Sequence, residues 1–205
     1  MTKIVKVPKG KSFRSRLIDM RACGWEDDSE SVGWVGRKSL RTAWRLCDRG
    51  NWMMWLAGRV DVDRRLLVLA ACDCARLALR HARGPGALHA IETAEAWTRG
   101  EATIVQVRTA AYASARAGRA AAYAYARASR ANSAAYAAAD AAAYAAYDST
   151  YAYAAADAAQ HAAIAYVAAT FAEHVVCVDT LGTCADLVRK RISVSTIEAA
   201  MRDER

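Results

Sequence analysis

Residues 108–130 read RTAAYASARAGRAAAYAYARASR. Alanine has the highest intrinsic helix propensity of any residue, and this stretch contains no proline and a single glycine, Gly118. Rolled into an α-helix at about 100° per residue, it places Arg108, Tyr112, Arg116, Arg119, Tyr123, Arg127 and Arg130 on one face, within an arc of about 100°. The other faces are almost entirely alanine. Guanidinium groups grip anionic oxygens through paired donors, and tyrosine rings offer surfaces for stacking. Two readings follow. The row is either a solvated basic face that pairs with Asp residues of a neighbouring helix, or an anion-binding surface.

The same composition runs on both sides, from Glu101 to about Val178. One helix of that length would be about 115 Å long, so the tract is expected to break. Ser129-Arg130-Ala131-Asn132-Ser133 and Asp148-Ser149-Thr150 contain capping residues and are the expected breaks. Three antiparallel helices result, their Ala faces allowing close backbone approach. In the second segment Tyr136, Asp140, Tyr144, Tyr147 and Tyr151 share a narrow face, either a packed Tyr seam or the wall opposite the Arg row. Nine Tyr in 55 residues and no Pro set the tract apart from disordered sequence.

Upstream, Ser39 can cap a helix to about Asp48 with Leu40, Ala43, Trp44 and Cys47 inward. Gly50 is expected to stop it, and Asn51 to cap a short apolar helix, 52–58, whose Trp52, Met53, Trp55 and Leu56 are core or a partner surface. Asp61 or Asp63 starts a helix to about Ala82 that is apolar all round at Leu66–Ala71, hence central. Gly84-Pro85-Gly86 breaks the chain. A further helix, about Leu88 to Arg99, ends at Gly100, with Glu95 pairing to Arg99. Downstream, a break is expected at Gly182 and a basic amphipathic helix at about Ser195 to Arg202. The whole reads as an all-α, alanine-rich helical bundle of about seven or eight helices. The expected divisions are 1–36, a short irregular basic N-terminal arm with a candidate strand at Lys3–Val7; 37–178, the alanine-rich domain; and 179–205, a basic helical tail.

The 205 residues carry a formal charge of +8 and a pI near 9.4, which favours anionic partners. The charge is uneven: residues 1–16 hold six Lys or Arg and no acid, whereas 131–188 hold five Asp, one Glu and no Lys or Arg. Cys23, Cys47, Cys72, Cys74, Cys177 and Cys184 are too scattered for a small disulfide scaffold and are expected to be reduced, mostly buried thiols. The start lacks the apolar segment of a secretory leader. The longest uncharged run, 158–172, falls short of the roughly 20 residues of a membrane span.

No motif fixes a reaction. Cys72 and Cys74 are two residues apart, which on a helix turns them away from each other. His174, Cys177 and Cys184 have compatible spacing but no complete set of four zinc ligands. No phosphate-cradling Gly loop is present, and His81, His89, His161 and His174 have no evident Ser or Cys relay. No catalytic residue, metal or cofactor is therefore assigned, and the chain is expected not to be an enzyme.

One block is more specific. LCDRGNWMMWLAGR (46–59), DRRLLVLAACDCARLAL (63–79) and AIETAEAWTRGEAT (90–103), followed by the Ala/Tyr run, resemble the alanine-rich immunity-protein family of bacterial and phage genomes. The likeness spans about residues 46–170 and is strongest over Leu46–Ala122. It implies a helical protein that neutralises its target by binding, and it brings no active-site residues; the leading expectation is a stoichiometric antagonist of a toxin, a defence protein or a signal, in the bacterial cytoplasm. The alternative expectation is a sponge for a nucleotide signal, or a nucleic-acid binder, in which Arg116, Arg119, Arg127 and Arg130 hold phosphates and Tyr112 and Tyr123 stack bases. Trp25, Trp34 or the Lys-rich start would then close the site. A homo-oligomer is expected in either case, and no membrane partner.

Overall fold

A computed structural model describes residues 12–20, 30–82, 84–124, 128–147, 158, 161 and 175–203. Every regular element among them is helical. Ten α-helices follow one another among these residues: α1 (Phe13–Asp19), α2 (Glu30–Val35), α3 (Leu40–Leu46), α4 (Gly50–Arg59), α5 (Arg64–Ala78), α6 (Gly86–Thr98), α7 (Ile104–Ala124), α8 (Ala128–Tyr147), α9 (Val175–Arg191) and α10 (Val194–Asp203). A 3-10 turn, Leu79–His81, extends α5.

Local chemistry accounts for the helix ends. The Ser39 hydroxyl accepts from the Thr42 amide and starts α3, and the Asp63 carboxylate accepts from the Arg65 amide at 2.9 Å to start α5. α6 stops at Gly100, whose φ of +79° is cheap only without a β-carbon. Three residues later Thr103 and Gln106 form a reciprocal cap: the Thr103 hydroxyl accepts from the Gln106 amide, and the Gln106 side chain accepts from the Thr103 amide. The α6–α7 corner is thereby fixed from both sides.

α5 is the central element, as its apolar stretch implied. It packs against α4, α6, α8 and α9, and Leu67, Val68, Ala70 and Ala71 are fully buried. α7 lies against α6 and, most extensively, α8. On α8, Ala138, Ala139, Ala142, Ala143, Ala145 and Ala146 are all buried. Methyl groups there replace the larger side chains of an ordinary core, so backbones come close and little side-chain entropy is lost. The pairs at the wet edge of α5 are inter-helical: Arg76 grips Glu95 of α6 through two bonds, at 2.9 and 2.7 Å, and Arg191 of α9 grips Asp73 likewise at 2.6 and 3.0 Å.

Several boundaries differ from the sequence-based expectation. α7 ends at Ala124 and α8 begins at Ala128, so Ser129–Ser133 sit inside α8. Polar residues in a first helical turn are well tolerated and did not mark an end. Asn51 does not cap α4, which begins at Gly50. Gly182 lies within α9, its backbone hydrogen bonds held by the flanking helix. Glu95 pairs with Arg76 instead of Arg99, which pairs with Glu101. The stretch 1–36 is not irregular where it is described: α1 and α2, with the residue that ends α1, bury Leu17, Met20, Val32 and Val35 in the common core. The candidate strand at Lys3–Val7, the break at 148–150 and Tyr151 lie outside the described residues.

Candidate functional site

The helix α7 has two unlike sides. Val107, Ala110, Ala111 and Ser114 are buried against its neighbours, while Val105, Arg108, Thr109, Tyr112 and Arg116 are exposed. Residues 105, 108, 112 and 116 follow the i, i+3, i+7, i+11 spacing of one helix face. The row that stood out in the sequence is thus an outward ridge, anchored at its start by the Thr103–Gln106 cap. Val105 is 70% exposed and Tyr112 51%, large values for such side chains.

Tyr112 is exposed but not loose. Its ring stands edge-to-face on Tyr144 of α8, with centroids 6.5 Å apart and planes at 81°, an arrangement favoured by the ring quadrupoles. Arg108 and Arg116 lie one turn to either side. Two exposed arginine positions therefore flank a braced aromatic ring, with an apolar Val105 at the end of the row. The same contact gives Tyr144, expected in a Tyr seam, its place between α7 and α8. Asp140 is half-buried on α8.

The rest of the predicted row is divided. Arg119 and Tyr123 belong to the α7 backbone, and their side chains are outside the described residues, as is the whole of Arg127. Arg130 is in the first turn of α8 and so does not continue the α7 face; the single helix over residues 108–130 is corrected to two. Trp34, expected to close over the row, is engaged elsewhere: its ring packs on Trp52 of α4 at 6.3 Å. Trp25 is outside the described residues.

A second cluster went unremarked in the sequence. Lys38 lies 4.6 Å from the Trp34 ring centre, Arg49 5.2 Å from that of Trp52, and Arg59 5.9 Å from that of Trp55. Each cation stands three or four residues from its ring, the spacing at which helical neighbours meet. That spacing was present in the sequence. The apolar helix α4 is accordingly core on one side and partly surface on the other: Met54 is fully buried, while Trp52 is half-buried.

Cys47, Cys72, Cys74 and Cys184 are free thiols buried in the packing. Cys72 faces the Ile91 carbonyl of α6 and Cys74 faces Cys184 of α9, so the two point to opposite neighbours. Burial pushes the Cys47 and Cys72 thiols up, and contact with the Cys184 thiol together with burial pushes Cys74 up. Among the described residues no three His, Cys, Asp or Glu side chains group to hold a metal ion, and no helix is long and apolar enough to cross a membrane. Compared with known protein families, curated proteins and solved structures, the chain matches none of them.

Proposed function

We propose that this chain is a non-enzymatic binding protein that neutralises its target by stoichiometric association, with the α7 ridge as its contact surface. The observation that carries the reading is the braced, half-exposed ring of Tyr112 between Arg108 and Arg116 on a helix whose opposite face is locked into the bundle. Arg and Tyr are among the residues most enriched where binding energy concentrates, and rigidity lowers the entropy lost on association. A ridge suits a broad partner surface. Small molecules bind in concave sites. The partner is then a protein with an acidic face, and the likeness of residues 46–122 to immunity proteins supplies the setting: bacterial or phage conflict, with a toxin or defence protein as target, in the bacterial cytoplasm.

Alternation of guanidinium and ring along one face also suits single-stranded nucleic acid or a nucleotide messenger, because bases stack on rings while arginines track phosphates. The two readings part in one paired experiment. Purified wild type and an Arg108→Glu/Arg116→Glu variant are tested by thermal shift against cyclic mono- and dinucleotides, ADP-ribose derivatives and short oligonucleotides, and are used as matched baits in host lysate. The expected result is no nucleotide-dependent shift, and one acidic protein retained at one-to-one stoichiometry by wild type and lost by the variant. A selective nucleotide shift that the variant lacks would replace this reading with the messenger or nucleic-acid one.

A further inference from the structure

A cavity of about 50 Å³ lies among α1, α2, α3 and α4. Trp44 and Trp55 in its wall are buried, Trp34 and Trp52 are half-buried, and Ala43 contributes only a methyl group. The volume is room for about four water-sized groups. Its walls are apolar, so water gains little there. The indole N–H groups of Trp44 and Trp55 find no acceptor among the described residues, and each unmade bond of this kind costs on the order of 1–3 kcal/mol.

The described stretch that leads through α3 to α4 is cationic. Between residues 37 and 49 the chain has Arg37, Lys38, Arg41, Arg45 and Arg49 against one acid, Asp48, which stands 4.0 Å from the Arg49 guanidinium. Arg41 is engaged by Glu198 of α10 at 2.5 Å. Lys38 donates to the Trp34 carbonyl at 2.6 Å and stands over the Trp34 ring; no acid lies against it among the described residues. Lys38, Trp34, Trp52 and Arg49 therefore form a continuous ladder of cation, ring, ring and cation beside the cavity. Leu46, at the end of α3, is 54% exposed.

We propose that this cavity receives one leucine-sized aliphatic side chain from an acidic segment of a partner protein, whose carboxylates lie against Lys38 and Arg49. Size argues for the anchor: roughly four heavy atoms fill the space, as a leucine side chain does, and a larger ring system would not enter without repacking. Charge complementarity argues for the flanking acids. The composition of the rim, tryptophan and arginine around an apolar recess, is that of interface centres. The site is built from α1–α4 and does not depend on the α7 ridge, so either can fail alone.

The test pans a phage-displayed random-peptide library on the whole protein and follows the enriched sequence, as a synthetic peptide, by tryptophan fluorescence. The expected peptides carry a single Leu, Ile or Met between Asp and Glu residues. Their affinity falls about tenfold or more with Ala43→Leu, which fills the recess, and similarly with Lys38→Glu/Arg49→Glu. Arg108→Glu/Arg116→Glu leaves it unchanged. Should Ala43→Leu melt below the wild type, the rim variant alone decides. Failure to enrich any peptide, enrichment of basic or anchor-free peptides, or binding indifferent to the rim variant overturns the proposal.

Discussion

A β-carbon added to Gly50 would lie 2.5 Å from the Cys184 β-carbon and 2.8 Å from the backbone of α9. Backbone cannot yield as a side-chain tip can, so Gly50→Ala is expected to destabilise by about 3 kcal/mol or more, read as a lower urea midpoint. The sequence offered Gly50 as a stop between helices; its actual reason, the close approach of α9, depends on a residue more than a hundred positions away and had no local signal. Arg189 is a similar case. Its guanidinium donates to the Trp44 carbonyl at 3.0 Å and to the Cys47 carbonyl, closing the C-terminal end of α3. Arg189→Ala is expected to cost about 2 kcal/mol through the unpaired carbonyls. Burial and the neighbouring Arg80 lower the His81 pKa from its ordinary 6.5. The unfolded chain then binds the proton more readily than the folded one. This contribution to stability is therefore complete above about pH 6.5 and is lost as pH falls through the folded value. A pH series of urea melts should show this loss, and His81→Gln should remove that part of the slope.

Among the helices, those governed by nearby residues were legible. Ser39, Asp63 and Gly100 mark ends because each satisfies or terminates backbone groups within a few positions. α10, capped by Ser193 accepting from the Thr196 amide at 3.1 Å, was expected almost where it is. The α7–α8 corner was not, because an alanine tract gives every position nearly the same propensity and leaves the turn to tertiary packing. The Thr103-x-x-Gln106 cap was present in the sequence and passed over. The Ala seam itself makes a firm prediction. Ala143 is fully buried on α8, so Ala143→Leu should force the packed helices apart and cost about 1–3 kcal/mol. An exposed change such as Ala113→Leu on α7 should leave the melting temperature near the wild-type value.

The molecule as a whole joins a rigid, alanine-packed bundle to a basic surface. Its helical class followed from composition and periodicity alone. Of the predicted row, Arg108, Tyr112 and Arg116 stand together on an exposed ridge, whereas Arg130 belongs to the next helix; helical spacing predicts a face only as far as the helix continues. What the ridge binds depends on the partner's surface, which no spacing in this chain encodes. The cysteines should behave as core. In a variant lacking Cys23 and Cys177, the remaining thiols, Cys47, Cys72, Cys74 and Cys184, are all buried, and a thiol reagent should label none of them until the protein unfolds. The binding account is tested by placing a photo-crosslinking amino acid at Tyr112, with a second protein carrying it at exposed Lys190 of α9 as control, and irradiating each in lysate of the organism that encodes the chain. The account predicts one acidic protein covalently joined at position 112, in one-to-one ratio, and not at 190. Crosslinks to nucleic acid, or the same products from both positions, would contradict it.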